Sequence, residues 1–143
     1  MSSLEERIID GSDDAVIHAD RDGIIRLWNA AAERMFGHSS DEALGQTLDL
    51  IVPEKHRARH WEGYDRVVAT GETAYAGSLL AVPALSRDGK RISVEFSVTL
   101  VKDETDRVEG VAAIMRDVTE RRAEEKARQR ELAELREHVA QAE

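Results

Sequence analysis

The sequence predicts an α+β domain: a five-stranded antiparallel sheet with short helices on one face, an N-terminal helix before it and a long C-terminal coiled-coil helix after it. Three observations predict this. Two short apolar strand patterns precede three helical ones, and three further strands follow. Residues 91–101 alternate, with Ile92, Val94, Phe96, Val98 and Leu100 on one side and Glu95, Ser97 and Thr99 on the other. From Val118 to the end there is no Gly or Pro among Glu, Arg and Ala, the pattern of one uninterrupted helix.

Residues 3–10 read as a short amphipathic helix. Ser3 can cap it, Glu6 completes a capping box, and Leu4, Ile8 and Ile9 form its apolar side. Gly11–Asp14 breaks it. Residues 15–19 and 24–28 are strands joined by the turn Asp20-Arg21-Asp22-Gly23, where Gly23 suits a positive φ. Asn29 caps a helix over 30–36 that Gly37 stops. Ser39 or Ser40 caps a second short helix over 41–44. A third runs from about Glu54 to Ala69 and ends near Gly71; Trp61, Tyr64 and Val68 fall on one of its faces. Residues 75–85 form a strand that Pro83 restricts to an edge or a bulge. The turn Arg87-Asp88-Gly89-Lys90 leads into the alternating strand, and residues 108–115 form the last one.

In the tail, Leu132, Leu135, Val139 and Ala142 step by three, four and three, a heptad seam. Traced upstream, that register meets Arg128, Glu125 and Arg121, so the seam does not reach the domain. A lone helix with so thin a stripe is marginal in water and becomes stable by pairing. The reading is therefore a homodimer through the N-terminal helix, the sheet and the C-terminal coiled coil. The domain division is 1–12 for the N-terminal helix, 13–117 for the sensor body and 118–143 for the signalling helix.

At 143 residues the chain holds one core. Its net charge of −9 disfavours direct nucleic-acid binding; outside the tail, 22 acids face 14 bases. With no cysteine, disulfides, thiolate metal sites and cysteine nucleophiles are excluded. No apolar run approaches the roughly 20 residues of a membrane span, and the polar, acidic first residues do not read as a signal peptide. The expected setting is cytoplasmic, away from membranes. No Ser-His-Asp spacing, phosphate-binding loop or catalytic carboxylate pair is present, so the chain reads as a non-enzyme.

Five local motifs carry a resemblance. They are Asp22-Gly23-Ile24-Ile25 with Trp28-Asn29-Ala30-Ala31-Ala32-Glu33-Arg34-Met35-Phe36-Gly37; Glu42-Ala43-Leu44-Gly45; Leu50-Ile51-Val52-Pro53-Glu54; Arg87-Asp88-Gly89; and Asp117-Val118-Thr119-Glu120-Arg121. In this order and spacing the chain resembles the PAS family over nearly residues 5–121, with His38 where the family usually has Tyr. The resemblance implies a cavity between sheet and helices, a dimer, and relay to an output protein or domain such as a kinase or regulator. No output element follows Glu143, so the output is expected on a partner, or the chain is an excised sensor module.

The segment Pro53–Arg66 is similar to the helix of haem-binding PAS domains in oxygen-sensing histidine kinases. The resemblance puts haem b on His60, the metal ligand, with Arg57, Arg59 and Arg66 toward the propionates. Trp61, Tyr64, Phe96 and Val98 join the lining. Leu80 stands where those sensors have a distal arginine, so an apolar distal side of Leu80, Phe96 and Val98 would favour carbon monoxide or nitric oxide over oxygen. Tyr75 or Met115 would take a distal role. The alternative for His60 is a half-buried, hydrogen-bonded histidine at the helix–sheet boundary of a haem-free interaction module, or of one binding another small metabolite. His56 shares its helix face but finds no third ligand at a defined spacing, so the pair reads as coincidence and His56 as exposed. His18 faces either the cavity or solvent, and His138 is solvated. With the cavity empty, Trp28, Trp61, Phe36 and Phe96 all read as core.

Overall fold

Local signals place most element ends. The structure, a computed structural model, describes residues 3–73 and 79–142. In chain order the elements are α1 (Leu4–Gly11), β1 (Ala15–Asp20), β2 (Ile25–Trp28), α2 (Ala30–Phe36), α3 (Ser40–Ala43), two 3-10 turns (Leu48–Leu50 and Glu54–His56), α4 (Arg57–Thr70), β3 (Leu80–Leu85), β4 (Arg91–Lys102), β5 (Val108–Asp117) and α5 (Thr119–Ala142). The strands form one sheet in the order β2-β1-β5-β4-β3, and every neighbouring pair is antiparallel. The predicted α+β class and five-stranded antiparallel sheet are both present.

At Ser3 only the forward half of the expected capping box forms, with Glu6 N–H donating to Ser3 Oγ. The reciprocal box forms at Ser39 and Glu42. The strand predicted to begin at Tyr75 is described only from Leu80; Tyr75 lies outside the described residues. Pro83 sits on edge strand β3, where a missing N–H breaks no inner ladder.

Strand pairing sorts side chains onto two faces. Ala15, Ile17, Trp28, Ile92, Val94 and Met115 point inward and pack with Ala32, Phe36, Ala43 and Ile51 from the helical side. One position binds three elements at the edge of this core. Asn29, 1% exposed, accepts from Val16 N–H and Ala32 N–H through Oδ1 and donates through Nδ2 to the carbonyls of Ile9 and Asp14. At the exit, Val118 is buried and donates to Ser93 O, while Ser93 N–H returns a bond to Thr119 Oγ1. Arg121 then reaches back 2.6 Å to Glu95 on β4. Beyond this anchor α5 is exposed along its whole length.

Candidate functional site

Helix α4 carries the candidate ligand, and three contacts fix its pose. The turn Asp20–Gly23 needs a residue tolerant of φ +77°, which Gly23 supplies. It also needs a residue with no Cβ, because a methyl group there would fall 2.2 Å from two ring carbons of Trp61. The Trp61 indole N–H donates to Asp49 Oδ1 at 2.7 Å. One turn on, the buried Tyr64 hydroxyl is directed at the carbonyls of Asp20 and Ala19. Burial, then the charges of Asp20 and Asp22, push its pKa upward, so it remains a donor. Gly71 closes the helix in the left-handed conformation, beside the buried side chain of Val108.

These contacts hold His60 half-buried between two aromatic neighbours, with ring centroids 4.9 Å from Trp61 and 5.9 Å from Tyr64. Burial lowers its pKa, and the nearby charge of Asp49 only partly opposes that, so the ring is held toward its neutral form. Its Nδ1 is buried and has no hydrogen-bond partner among the described residues. The half-buried placement expected of a plain boundary histidine is present; the hydrogen bond expected with it is absent at Nδ1.

The apolar wall lies on the inner face of the sheet. Phe96 pairs with Leu80 on β3 and with Met115 on β5, and Val98 pairs with Ala113. Inward direction does not bring full burial here. Leu80, Phe96, Val98 and Leu100 are only half-buried, whereas Ile92 and Val94 on the same strand face are buried. The helical layer therefore covers one end of the sheet closely and leaves the other end partly open.

Several expected roles fall elsewhere. Arg57 does not point outward: its guanidinium bonds the carbonyls of Val52 and Asp49 and bridges to the Asp49 carboxylate, bracing the preceding loop. Arg66 is exposed and pairs with Glu62 one turn away. His56 is half-buried rather than exposed. Of the two faces open to it, His18 takes the outer, solvent side of the sheet: half-buried there, its ring occupies the space a Cβ on Gly110 would need, and its Nε2 is buried without a partner among the described residues. His38 supplies the carbonyl that accepts from the Trp28 indole. Trp28 and Phe36 are core, as read. Sequence reasoning missed Asp49, which ties down both Trp61 and Arg57, because nothing in a loop aspartate's neighbours in sequence announces a partner 8 or 12 residues on.

Two surface grooves open elsewhere, one lined by Pro53, Lys55, Leu85 and Arg91 and the other by Arg34, Met35, Arg87 and Ile92; His60 lines neither. No group of three or more His, Asp or Glu side chains suited to a metal ion occurs among the described residues. A haem needs less from the protein than such a cluster: one neutral imidazole and an apolar slot. His60 offers a ring held toward neutrality with an unpartnered buried nitrogen, and the sheet offers a half-covered apolar wall. The donor set fits the group.

A family model described as the PAS fold matches residues 9–123. The sensor protein FixL of Bradyrhizobium diazoefficiens is 38% identical over 85 residues, 59% of this chain and 17% of that protein. The oxygen sensor protein DosP of Escherichia coli is 26% identical over 90 residues, 63% of this chain and 11% of that protein. The chain thus spans well under a fifth of the length of these relatives. Among solved structures, a PAS domain from Colwellia psychrerythraea superposes with a TM-score of 0.70 at 23% identity, covering 82% of this chain and 98% of that one.

Proposed function

The chain belongs to the PAS-fold family of sensory domains, and from that membership we propose that it is a non-enzymatic haem b sensor, using His60 as the iron ligand. Haem iron, when bound, supplies a coordination position that responds to a diatomic gas or to redox state. The protein's own residues do the rest. His60 presents a neutral imidazole. Trp61 and Tyr64 fix the helix that carries it by bonding Asp49 and the end of β1. Leu80, Phe96, Val98 and Met115 line the facing side in this reading and offer no hydrogen-bond donor to a bound gas, which favours carbon monoxide or nitric oxide over oxygen.

Residues 13–117 form the sensor in this reading and 118–143 the relay. Phe96 on the inner face of β4 adjoins Glu95 on the outer face, and Glu95 holds Arg121 of α5. A shift of β4 therefore reaches the exit helix in one residue.

The observation that carries the proposal is the buried Nδ1 of His60, unpartnered among the described residues, in a ring held toward neutrality. A buried polar atom without a partner costs about 1–3 kcal/mol, and a ligand that engages this imidazole gives the cost a purpose. Titrating the purified protein with haemin tests it. The expected result is a stoichiometric Soret band that His60→Ala abolishes while the far-UV circular dichroism is retained. Failure to take up haemin, or uptake unaffected by His60→Ala, overturns it.

A second reading rests on different residues. Leu4, Ile8, Ile114, Leu132, Leu135 and Val139 are all exposed apolar side chains. They support homodimerisation through α1, the sheet and α5, and that role stands with or without haem.

A further inference from the structure

The heptad register of α5 assigns a place to every charged neighbour of its seam. Leu132, Leu135 and Val139 are 52%, 62% and 61% exposed, so the seam has no cover among the described residues. With Leu132 and Val139 at a, Leu135 and Ala142 fall at d, Glu131 and His138 at g, and Arg136 at e. Val at a with Leu at d favours two strands.

The two senses of pairing then differ in charge. In a parallel, in-register pair each g residue faces the e residue five positions on in the second copy. Glu131 meets Arg136 on both sides of the seam, and every apolar layer meets its own kind. In the antiparallel register that keeps all apolar layers matched, Leu132 covers Ala142 and Leu135 covers Val139. The e positions then meet each other, which sets Arg136 against Arg136. Sliding the antiparallel helices by one heptad removes that clash but places Val139 on Arg128 and Ala142 on Glu125. Only the parallel sense satisfies apolar and charged positions together.

The same register explains where pairing stops. Upstream it reaches Arg128, Glu125 and Arg121, which stack like charge on like charge in a parallel pair. Arg121 is already held by Glu95 of its own domain at 2.6 Å and lies 3.8 Å from Glu125.

We propose that a second copy of this chain packs on α5 in parallel and in register over Glu131–Ala142, with Glu131 and Arg136 setting the sense and the charged turns below splaying apart. The inference rests on the homodimer reading above and adds its direction. It places both sensor bodies at the same end of the zipper.

The absence of native cysteine makes the test direct. Leu132→Cys and Ala142→Cys are each made in the full chain and oxidised mildly. Each variant alone is expected to give a covalent dimer on a non-reducing gel, with sedimentation confirming that the reduced variants still associate. Glu131→Arg is expected to weaken the dimer roughly fivefold or more, as two attractions become two repulsions, and adding Arg136→Glu is expected to restore it. Single cysteines that stay unlinked while a mixture of the two variants cross-links would overturn the parallel sense and leave the homodimer standing. A wild-type chain that sediments as a monomer at all concentrations would overturn both.

Discussion

Asn29 shows how much one side chain can do when all its hydrogen-bonding capacity is used inside. Its amide joins α1, β1 and α2 through four bonds in a site 1% exposed. Asn29→Ala removes a helix cap and strands Val16 N–H and two carbonyls. A loss of at least about 2–4 kcal/mol follows from a cap and three orphaned groups, to be read by urea denaturation. Its capping role was legible in the sequence. Its tie to Ile9, 20 residues back, was not, because only the folded chain brings that carbonyl near. At Gly23 both a left-handed φ and the Trp61 ring oppose any side chain. Gly23→Ala is expected to cost about 1–3 kcal/mol, with a change in Trp fluorescence as Trp61 is displaced. His60 gives a pH signature in the haem-free protein. Its folded pKa lies below the unfolded value of about 6.5, so the unfolded chain binds the proton more readily. Stability therefore falls as pH drops through about 6.5, and His60→Phe is expected to flatten that part of the stability–pH curve.

Among the elements, β4 has the widest reach. It pairs with β3 and β5, contributes Phe96 and Val98 to the inner wall, and holds the base of α5 through Ser93 and Glu95. The Glu95–Arg121 pair is partly solvated, with side-chain exposures of 21% and 53%, so its worth in stability is small, within about 1 kcal/mol. Its effect is local. Arg121→Ala is expected to leave the melting temperature nearly unchanged and to speed amide hydrogen exchange in the first turns of α5. A slowed or unchanged exchange would show that the helix base is held by Val118 and Thr119 alone. The alternation of residues 91–101 made β4 readable, since period two has a single interpretation in a strand with one buried face. Its half-buried end could not be read, because alternation tells which side chains point inward and not how closely a helix covers them.

For the molecule as a whole, α5 adds a long exposed helix to a body that has its own core. Truncation after Asp117 is expected to weaken self-association, measured by sedimentation at several concentrations, and to lower the melting temperature of the body through the loss of Val118. An undiminished dimer would assign pairing to α1 and the sheet. Burial of Val118 makes the cut point informative: removing it exposes part of the core, so a second truncation after Arg122 separates loss of the zipper from damage to the body.

The sequence by itself determined the element order, the helix caps at Ser3 and Asn29, the left-handed turn at Gly23, the helix stops at Gly37 and Gly71, the restriction of Pro83 to an edge or a bulge and the apolar stepping along α5. These depend on bonds and steric limits within a few residues, or on a period that repeats along one element. The tertiary structure alone decided that β5 lies between β1 and β4, that Trp61 rests on Gly23, that Arg57 turns back to Asp49 and that His60 keeps a buried nitrogen without a partner among the described residues. Each joins groups distant in the chain, and which group meets which follows from how the helical layer settles on the sheet.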